Sequence, residues 1–319
     1  MKHKVIWQLV VPLLGLCVLF MLLATEPAKV QARQEPVEIS VILRETESGT
    51  WSATRQGMEQ AAMDLNVELR VLTLSRENDA EEQRDLLERE VASGADGVLL
   101  IPADREVLSE AVETAADAVP VVTMETDMSQ DGASGYISVD NDALGRMLGD
   151  IALNGAPEGS SVLLLSGVSE ATGISDRLTA AQEVLEAAGR KVYRCVLRPE
   201  ESLESVLEGE LAALAPAAVV AFDTSTLERT ARVLREKESA PLLYGAGSSA
   251  AIAAYLEQGA ITAVAVRNEF AAGYLAVEAL VEVISNHADV TAPPLSFSVV
   301  RKENMYDPEN QKLLFPVTR

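Results

Sequence analysis

Gly94-Ala95-Asp96-Gly97-Val98-Leu99-Leu100-Ile101-Pro102-Ala103-Asp104 is the stretch on which the fold turns. From Val98 to Ile101 every side chain is apolar, and Pro102 ends the run. A strand without polar alternation is buried on both faces, the condition of a strand inside a parallel sheet covered by helices. Just upstream, Ala80–Ala92 reads as a helix, with Asn78 and Asp79 as candidate N-caps and Gly94 as its stop. Downstream, Val107–Ala116 reads as a helix and Pro120–Met124 as a strand. These segments are βαβ units, whose parallel strands need a helical crossover.

The same alternation extends in both directions. Val37–Leu43 and Val67–Leu74 read as strands around a helix over Trp51–Leu65, which carries Met58, Ala62 and Leu65 on one stripe. The rhythm breaks at Thr126–Ser134, rich in Asp, Ser and Gly, and restarts at Tyr136–Val139. Strands at Ser161–Leu165, Lys191–Leu197, Ala217–Phe222, Leu242–Tyr244, Ile261–Val266 and Leu295–Val300 then alternate with helical segments. The second half thus repeats the architecture of the first. The expectation is an α/β protein of two doubly wound parallel-sheet modules with a cleft between them. Ligands of such sheets bind beyond the carboxyl ends of the strands.

Length and composition agree with that reading. The 319 residues suffice for two domains, and 48% hydrophobic with 24% charged residues is ordinary for a globular chain. The formal net charge of −23 comes with no basic stripe, which argues against nucleic acid. Met1-Lys2-His3-Lys4 and the apolar run Val5–Leu23 form an export signal. The run is long enough to approach a membrane span, and Val30-Gln31-Ala32 offers a cleavage site, so residues 1–32 are expected to be either a cleaved signal peptide or a retained anchor. Lipid attachment at Cys17 is a further alternative, against which Leu16 is bulky for its position. Lys2 and Lys4 keep that end in the cytoplasm, which places the rest outside: periplasm or cell surface. Only Cys195 remains beyond the signal, so an internal disulfide is excluded there.

Much chemistry is missing. His3 belongs to the signal and His287 falls in the Asn286–Asp289 turn, so a Ser-His-Asp triad lacks a placed histidine. Zinc-ligand spacing, a phosphate loop and a dinucleotide fingerprint after the first strand are absent; no cofactor and no metal is expected. Gly245-Ala246-Gly247 reads as a short glycine turn, and Cys195 as a small buried hydrophobe. By elimination the cleft is a binding cleft, and the protein is not an enzyme.

The candidates for binding are the polar residues at strand ends. Arg44 and Trp51 flank the turn after the first strand, where the indole would either stack on a ligand face or pack within its own half. Glu125 follows the fourth strand as a ligand acceptor or a solvated loop carboxylate. Arg177, near the start of a helix, would pair with a local acid or touch ligand. Asp223 is an N-cap or an acceptor, and Arg267 with Asn268 are donors or hinge residues.

These landmarks resemble the type I periplasmic binding proteins, in particular their ribose-binding-like, sugar-binding branch. The resemblance covers about residues 37 to 305 and rests on Gly57, on Gly94 to Asp104, on Val119-Pro120-Val121-Val122, on Tyr136 to Asn141 and on Gly167 through Arg177. It implies two lobes joined by three crossovers, with residues 37–139 and 268–292 in lobe 1 and residues 140–267 and 293–319 in lobe 2. The family's aromatic stacking position falls on Trp51, a ligand-holding arginine position on Ser175, and a hydroxyl-binding asparagine position on Asp223. Its Asp-Arg pair falls on Glu125-Thr126 and a later Asp on Gly247, so the pentose or hexose site is not reproduced. The resemblance implies a monomer that closes about a hinge on a small polar ligand, a sugar or sugar-like molecule, and delivers it to the membrane permease of an ABC transporter. The alternative is a ligand-sensing accessory of a membrane histidine kinase.

Overall fold

The structure, a computed structural model, describes residues 36–46, 51–167, 171–198 and 201–315. The export segment, Cys17 and the cleavage site after Ala32 lie outside the described residues. Among the described residues no helix is long and apolar enough to cross a membrane.

The first sheet is formed by β1 (Val37–Ile42), β2 (Val67–Leu72), β3 (Gly97–Leu100), β4 (Val121–Met124) and β5 (Gly135–Ile137), in the order β2-β1-β3-β4-β5. Every pairing in it is parallel. The decisive apolar run is explained by its neighbours. Leu99 and Ile101 join the core on one face, with Met58 of α1 (Ser52–Leu65) and Ala276 of α9 (Glu269–Asn286). Val98 and Leu100 join the other, with Leu87 of α2 (Ala80–Ala92) and Leu108 of α3 (Arg105–Ala116). Each face of the strand meets a helix layer, so neither can carry polar side chains. Asp79 caps α2 and Asp104 caps α3, each carboxylate accepting the backbone N–H three residues on.

The second sheet runs β11-β10-β9-β8-β6-β7, from β6 (Ser161–Ser166), β7 (Lys191–Val196), β8 (Ala218–Ala221), β9 (Leu242–Ala246), β10 (Ala263–Arg267) and β11 (Phe297–Val300). Only β11 is antiparallel to its neighbour. One face is covered by α4 (Asn141–Gly155) and α5 (Thr172–Ala187), the other by α6 (Leu203–Leu214), α7 (Thr224–Leu234) and α8 (Ala250–Gln258). The chain crosses between the sheets after β5, again from β10 into α9, and a third time from α9 to β11. Single bridges Gly135↔Val290 and Val139↔Leu295 lie along the first and third crossings.

Three details depart from the sequence reading. Gly245 and Ala246 continue β9 instead of forming a turn, and only Gly247, at φ +143°, ends it. Apolar β-strand context on both sides absorbs a glycine that composition alone assigns to a loop. A short helix, α10 (Pro308–Leu314), follows β11 and was not anticipated. Cys195 is half-buried, because β7 is the edge strand of its sheet; partial burial raises its thiol pKa, with the nearby carboxylates of Glu210 and Glu201 adding to the effect.

Candidate functional site

Parallel strands deliver their carboxyl ends to one side of each sheet, and the two sheets turn those sides toward each other. Arg44 stands just beyond β1, Glu125 just beyond β4, and Arg267 ends β10. Arg177 projects from the second turn of α5. All four are at most 8% exposed. Glu125 sits between two guanidinium groups: Arg44 Nη2 donates to its Oε2 at 2.8 Å, and Arg267 Nη2 donates to its Oε1. Arg267 Nε also donates to Glu269 Oε1 at 2.9 Å, and Thr54 Oγ1 donates to Glu269 Oε2 at 3.2 Å. Burial alone would raise the Glu125 pKa. The charges of Arg267, Arg44 and Arg177 outweigh it and hold the carboxyl at about 2.

Glu125 is also held in an unusual backbone conformation, φ +64°, which a side-chain-bearing residue rarely adopts. Its carbonyl accepts the Tyr136 hydroxyl at 3.3 Å. Asn141, at the start of α4, donates through Nδ2 to Tyr136 Oη at 3.2 Å and to Ser138 Oγ at 3.3 Å, while its Oδ1 accepts Arg177 Nε at 2.7 Å. Arg177 Nη1 donates to the Phe222 carbonyl at 3.1 Å. Both partners are neutral, so the local acid expected for Arg177 is not what holds it among the described residues. Its pKa is lowered by burial, which the Glu125 charge partly offsets.

Trp51 is buried in the first sheet's core beside Leu43 and Met58 and also lines the cleft. Asp223 lines it too, yet both its oxygens are occupied as the N-cap of α7, accepting Thr226 N–H at 2.8 Å and Thr226 Oγ1–H at 2.7 Å. Ser175 does not belong to the site as the structure stands. It is exposed on α5 and absent from the cleft wall, because residues two apart on a helix face opposite ways and Arg177 takes the buried side.

Three participants escaped the sequence reading. Glu269 joins through the first turn of α9, two residues after Arg267, a spacing that is indistinguishable from an ordinary acidic helix start. Glu45 is 8% exposed, and burial raises its pKa to about 7 against the lowering effect of Arg44 and of a hydrogen bond with the Trp51 side chain. Its position beside Arg44 was visible, its burial was not. Asn78, at φ +59°, donates its backbone N–H to the Arg44 carbonyl at 2.7 Å.

Two cavities occupy the cleft. The inner one, of about 40 Å³, is walled by Trp51, Glu125, Arg177 and Arg267. The outer one, of about 410 Å³, is walled by both halves of the chain. Arg44, Glu45 and Asp223 belong to both walls.

The family profile described as a periplasmic binding protein domain matches residues 39–288. The chain belongs to that family. It is 29% identical to the ribose import binding protein RbsB of Bacillus subtilis over 124 residues, 39% of this chain and 40% of that protein. It is 28% identical to the D-ribose/D-allose-binding protein of Pseudomonas aeruginosa over 123 residues, 36% and 39% of the two chains. These alignments therefore span about two-fifths of the curated relatives' length. Among solved structures, a carbohydrate transporter solute-binding protein from Agrobacterium radiobacter in complex with D-arabinose superposes with a TM-score of 0.81 at 21% identity, covering 88% of this chain and 99% of that one. The glucose-galactose binding protein GanP of Geobacillus stearothermophilus gives 0.77 at 19%, covering 86% and 100%. At such identities the likeness establishes the two-lobed periplasmic binding protein fold.

Proposed function

We propose that the chain is an extracytoplasmic, monomeric solute-binding protein that closes around a small polar solute, a sugar or sugar-like molecule, and presents it to the permease of an ABC transporter. One observation carries the reading. Buried charged side chains from the strand ends of both sheets converge on one cleft, and Arg44 Nη1 among them is buried without a hydrogen-bond partner in the described structure. A buried guanidinium N–H left unsatisfied costs about 1–3 kcal/mol, which a bound acceptor recovers. The ribose- and allose-binding relatives and the D-arabinose bound in the Agrobacterium radiobacter neighbour support the sugar class. Residues 37–139 with 268–292, and 140–267 with 293–319, are the lobes that move; ligand favours the closed state by its higher affinity for it. Binding, not turnover, is the proposed activity: among the described residues the cleft's charged groups are tied in ion pairs, and its hydroxyl–carboxylate contacts, Thr54 to Glu269 and Thr226 to Asp223, belong to that network and to a helix cap. Differential scanning fluorimetry against monosaccharides, cyclitols, amino sugars and sugar acids tests this. A raised melting temperature with at least one of them is expected, and a flat response across all four classes would reject it.

A further inference from the structure

The inner chamber has donors to spare. Its acidic wall groups are engaged at their carboxylate oxygens: Glu125 by Arg44 and Arg267, Glu269 by Arg267 and Thr54, and Asp223 by Thr226. Burial holds the remaining one, Glu45, toward its neutral form. The guanidinium groups are engaged only in part. Arg177 donates through Nε and Nη1, and Arg267 through Nε and Nη2; no hydrogen bond among the described residues uses Arg177 Nη2 or Arg267 Nη1. Neither atom is among the described ones sealed from solvent without a partner, so each keeps accessible surface in a residue that lines the chamber.

Charge points the same way. Arg177 is 5% exposed, belongs to no ion pair among the described residues, and is held by an amide oxygen and a backbone carbonyl, both neutral. A guanidinium taken out of water is destabilised unless a counter-charge meets it. Glu125 already serves Arg44 and Arg267, whose own charges weigh against Arg177. The group that completes this wall is an acceptor with negative charge and no proton of its own, which a carboxylate is and a hydroxyl is not. Size agrees. About 40 Å³ gives room for about three waters, and a carboxylate fills that space with its carbon and its pair of oxygens. The outer chamber, of about 410 Å³, falls within the range of roughly 300–1,000 Å³ typical of small-molecule pockets and carries Glu77, Glu81 and Glu201 on its wall. Those carboxylates accept from hydroxyls and repel like charge, which turns the acidic end of a solute inward.

On the solute-binding reading given above, we propose that this chain takes a carboxylate-bearing solute of the sugar-acid class, with the carboxylate seated in the inner chamber against Arg177 Nη2 and Arg267 Nη1 and the hydroxyl-bearing body in the outer chamber. The Arg44–Glu125–Arg267–Glu269 ion-pair chain then positions the receiving guanidinium of Arg267 and is not itself displaced.

The test titrates the full chain by calorimetry with D-glucuronate, D-galacturonate and D-gluconate, with the primary amide of each acid, which keeps the shape and removes the charge, and with D-glucose and D-galactose. Two variants are compared with the parent. Arg177→Gln removes the guanidinium; Thr224→Asp puts a negative charge on the inner wall at the first residue of α7, where a helix start favours an acid and the fold is kept even if Arg177→Gln unfolds. The expected result is that at least one acid binds about tenfold or more tighter than its amide and than the neutral sugars, and that each folded variant removes that preference. An amide or neutral sugar bound as tightly as the acid would overturn the ligand class and leave solute binding intact. A preference for the acid that survives Thr224→Asp would overturn the inner seat. No binding by any of the acids would overturn the proposal, and the fluorimetric response to the other solute classes then shows whether the solute-binding reading stands without it.

Discussion

Glu45 and Glu125 face the same cleft from the first half, and their surroundings push them in opposite directions. Burial dominates at Glu45 and lifts its pKa from an ordinary 4.5 to about 7, while opposing guanidinium charges win at Glu125 and bring it to about 2. The linkage consequences have opposite signs. A carboxyl whose folded pKa is raised contributes stability that is fully present below about pH 4.5 and lost as pH rises through about 7. Glu125 contributes stability present above about pH 4.5 and lost as pH falls toward 2. A displacement of that size at either carboxyl corresponds to about 3 kcal/mol. Glu45→Gln is therefore expected to stabilise the protein by about 2–3 kcal/mol at pH 8 and to leave it unchanged near pH 4.5. Urea denaturation of parent and variant across that window checks it; a pH-independent difference would contradict the burial-driven shift. Trp51 supplies a second residue-scale expectation. It is 8% exposed within the first sheet's core, so Trp51→Ala should cost about 3–5 kcal/mol of stability. Chemical denaturation measures that loss, and a cost under about 1 kcal/mol would show the indole to be a cleft group with little packing role.

At the scale of elements, glycines set how closely helices approach. A Cβ on Gly57 of α1 would lie 1.9 Å from the Phe270 carbonyl oxygen of α9, and one on Gly273 of α9 would lie 1.9 Å from the Thr54 carbonyl oxygen. In the second half, a Cβ on Gly145 of α4 would lie 2.2 Å from the Arg177 carbonyl oxygen of α5. Backbone cannot yield as a flexible side chain can, so Gly57→Ala must push α1 and α9 apart. A loss of about 1–3 kcal/mol, beyond the small gain in helix propensity, is expected from thermal unfolding. A variant as stable as the parent would mean that the two helices pack less closely than described. The same contrast explains what the sequence discloses. Val98 to Ile101 declared a doubly covered strand because burial on two faces leaves a mark at every position. The cleft left no such mark. Arg44, Glu125 and Arg267 were visible as charges at strand ends. The ion pair joining Glu125 to Arg267 spans 142 positions in the chain, and no local pattern encodes a partner at that distance. The motif position that falls on Ser175 carries no helical phase, and α5 turns that residue outward. Glu45 was passed over because adjacency to Arg44 does not reveal burial.

For the molecule as a whole, the question is what sets the depth of closure between the two halves. Gly173, in the first turn of α5, meets Glu125 across the cleft: a Cβ there would come to 2.3 Å from the Glu125 carbonyl oxygen and 2.9 Å from Asn141 Nδ2. The Asp127 N–H donates to Thr172 Oγ1 at 3.4 Å in the same place. This contact presses the second half against the strained residue that holds the Arg44 and Arg267 pairs, so closure and the charge network share one point. Gly173→Ala adds only a methyl group in the buried first turn of the helix, where alanine is favoured over glycine for the helix itself. The substitution should therefore leave each half folded yet hold the halves apart, and a solute that requires the closed state loses affinity by the fraction of closed molecules lost. With a solute confirmed for the parent, the expected outcome is an affinity about tenfold weaker, an unchanged far-ultraviolet circular dichroism spectrum, and a larger radius of gyration by small-angle scattering at saturating solute. Parent-like affinity and compaction in the variant would show that closure does not run through the Gly173–Glu125 contact and would move the closing surface elsewhere along the cleft.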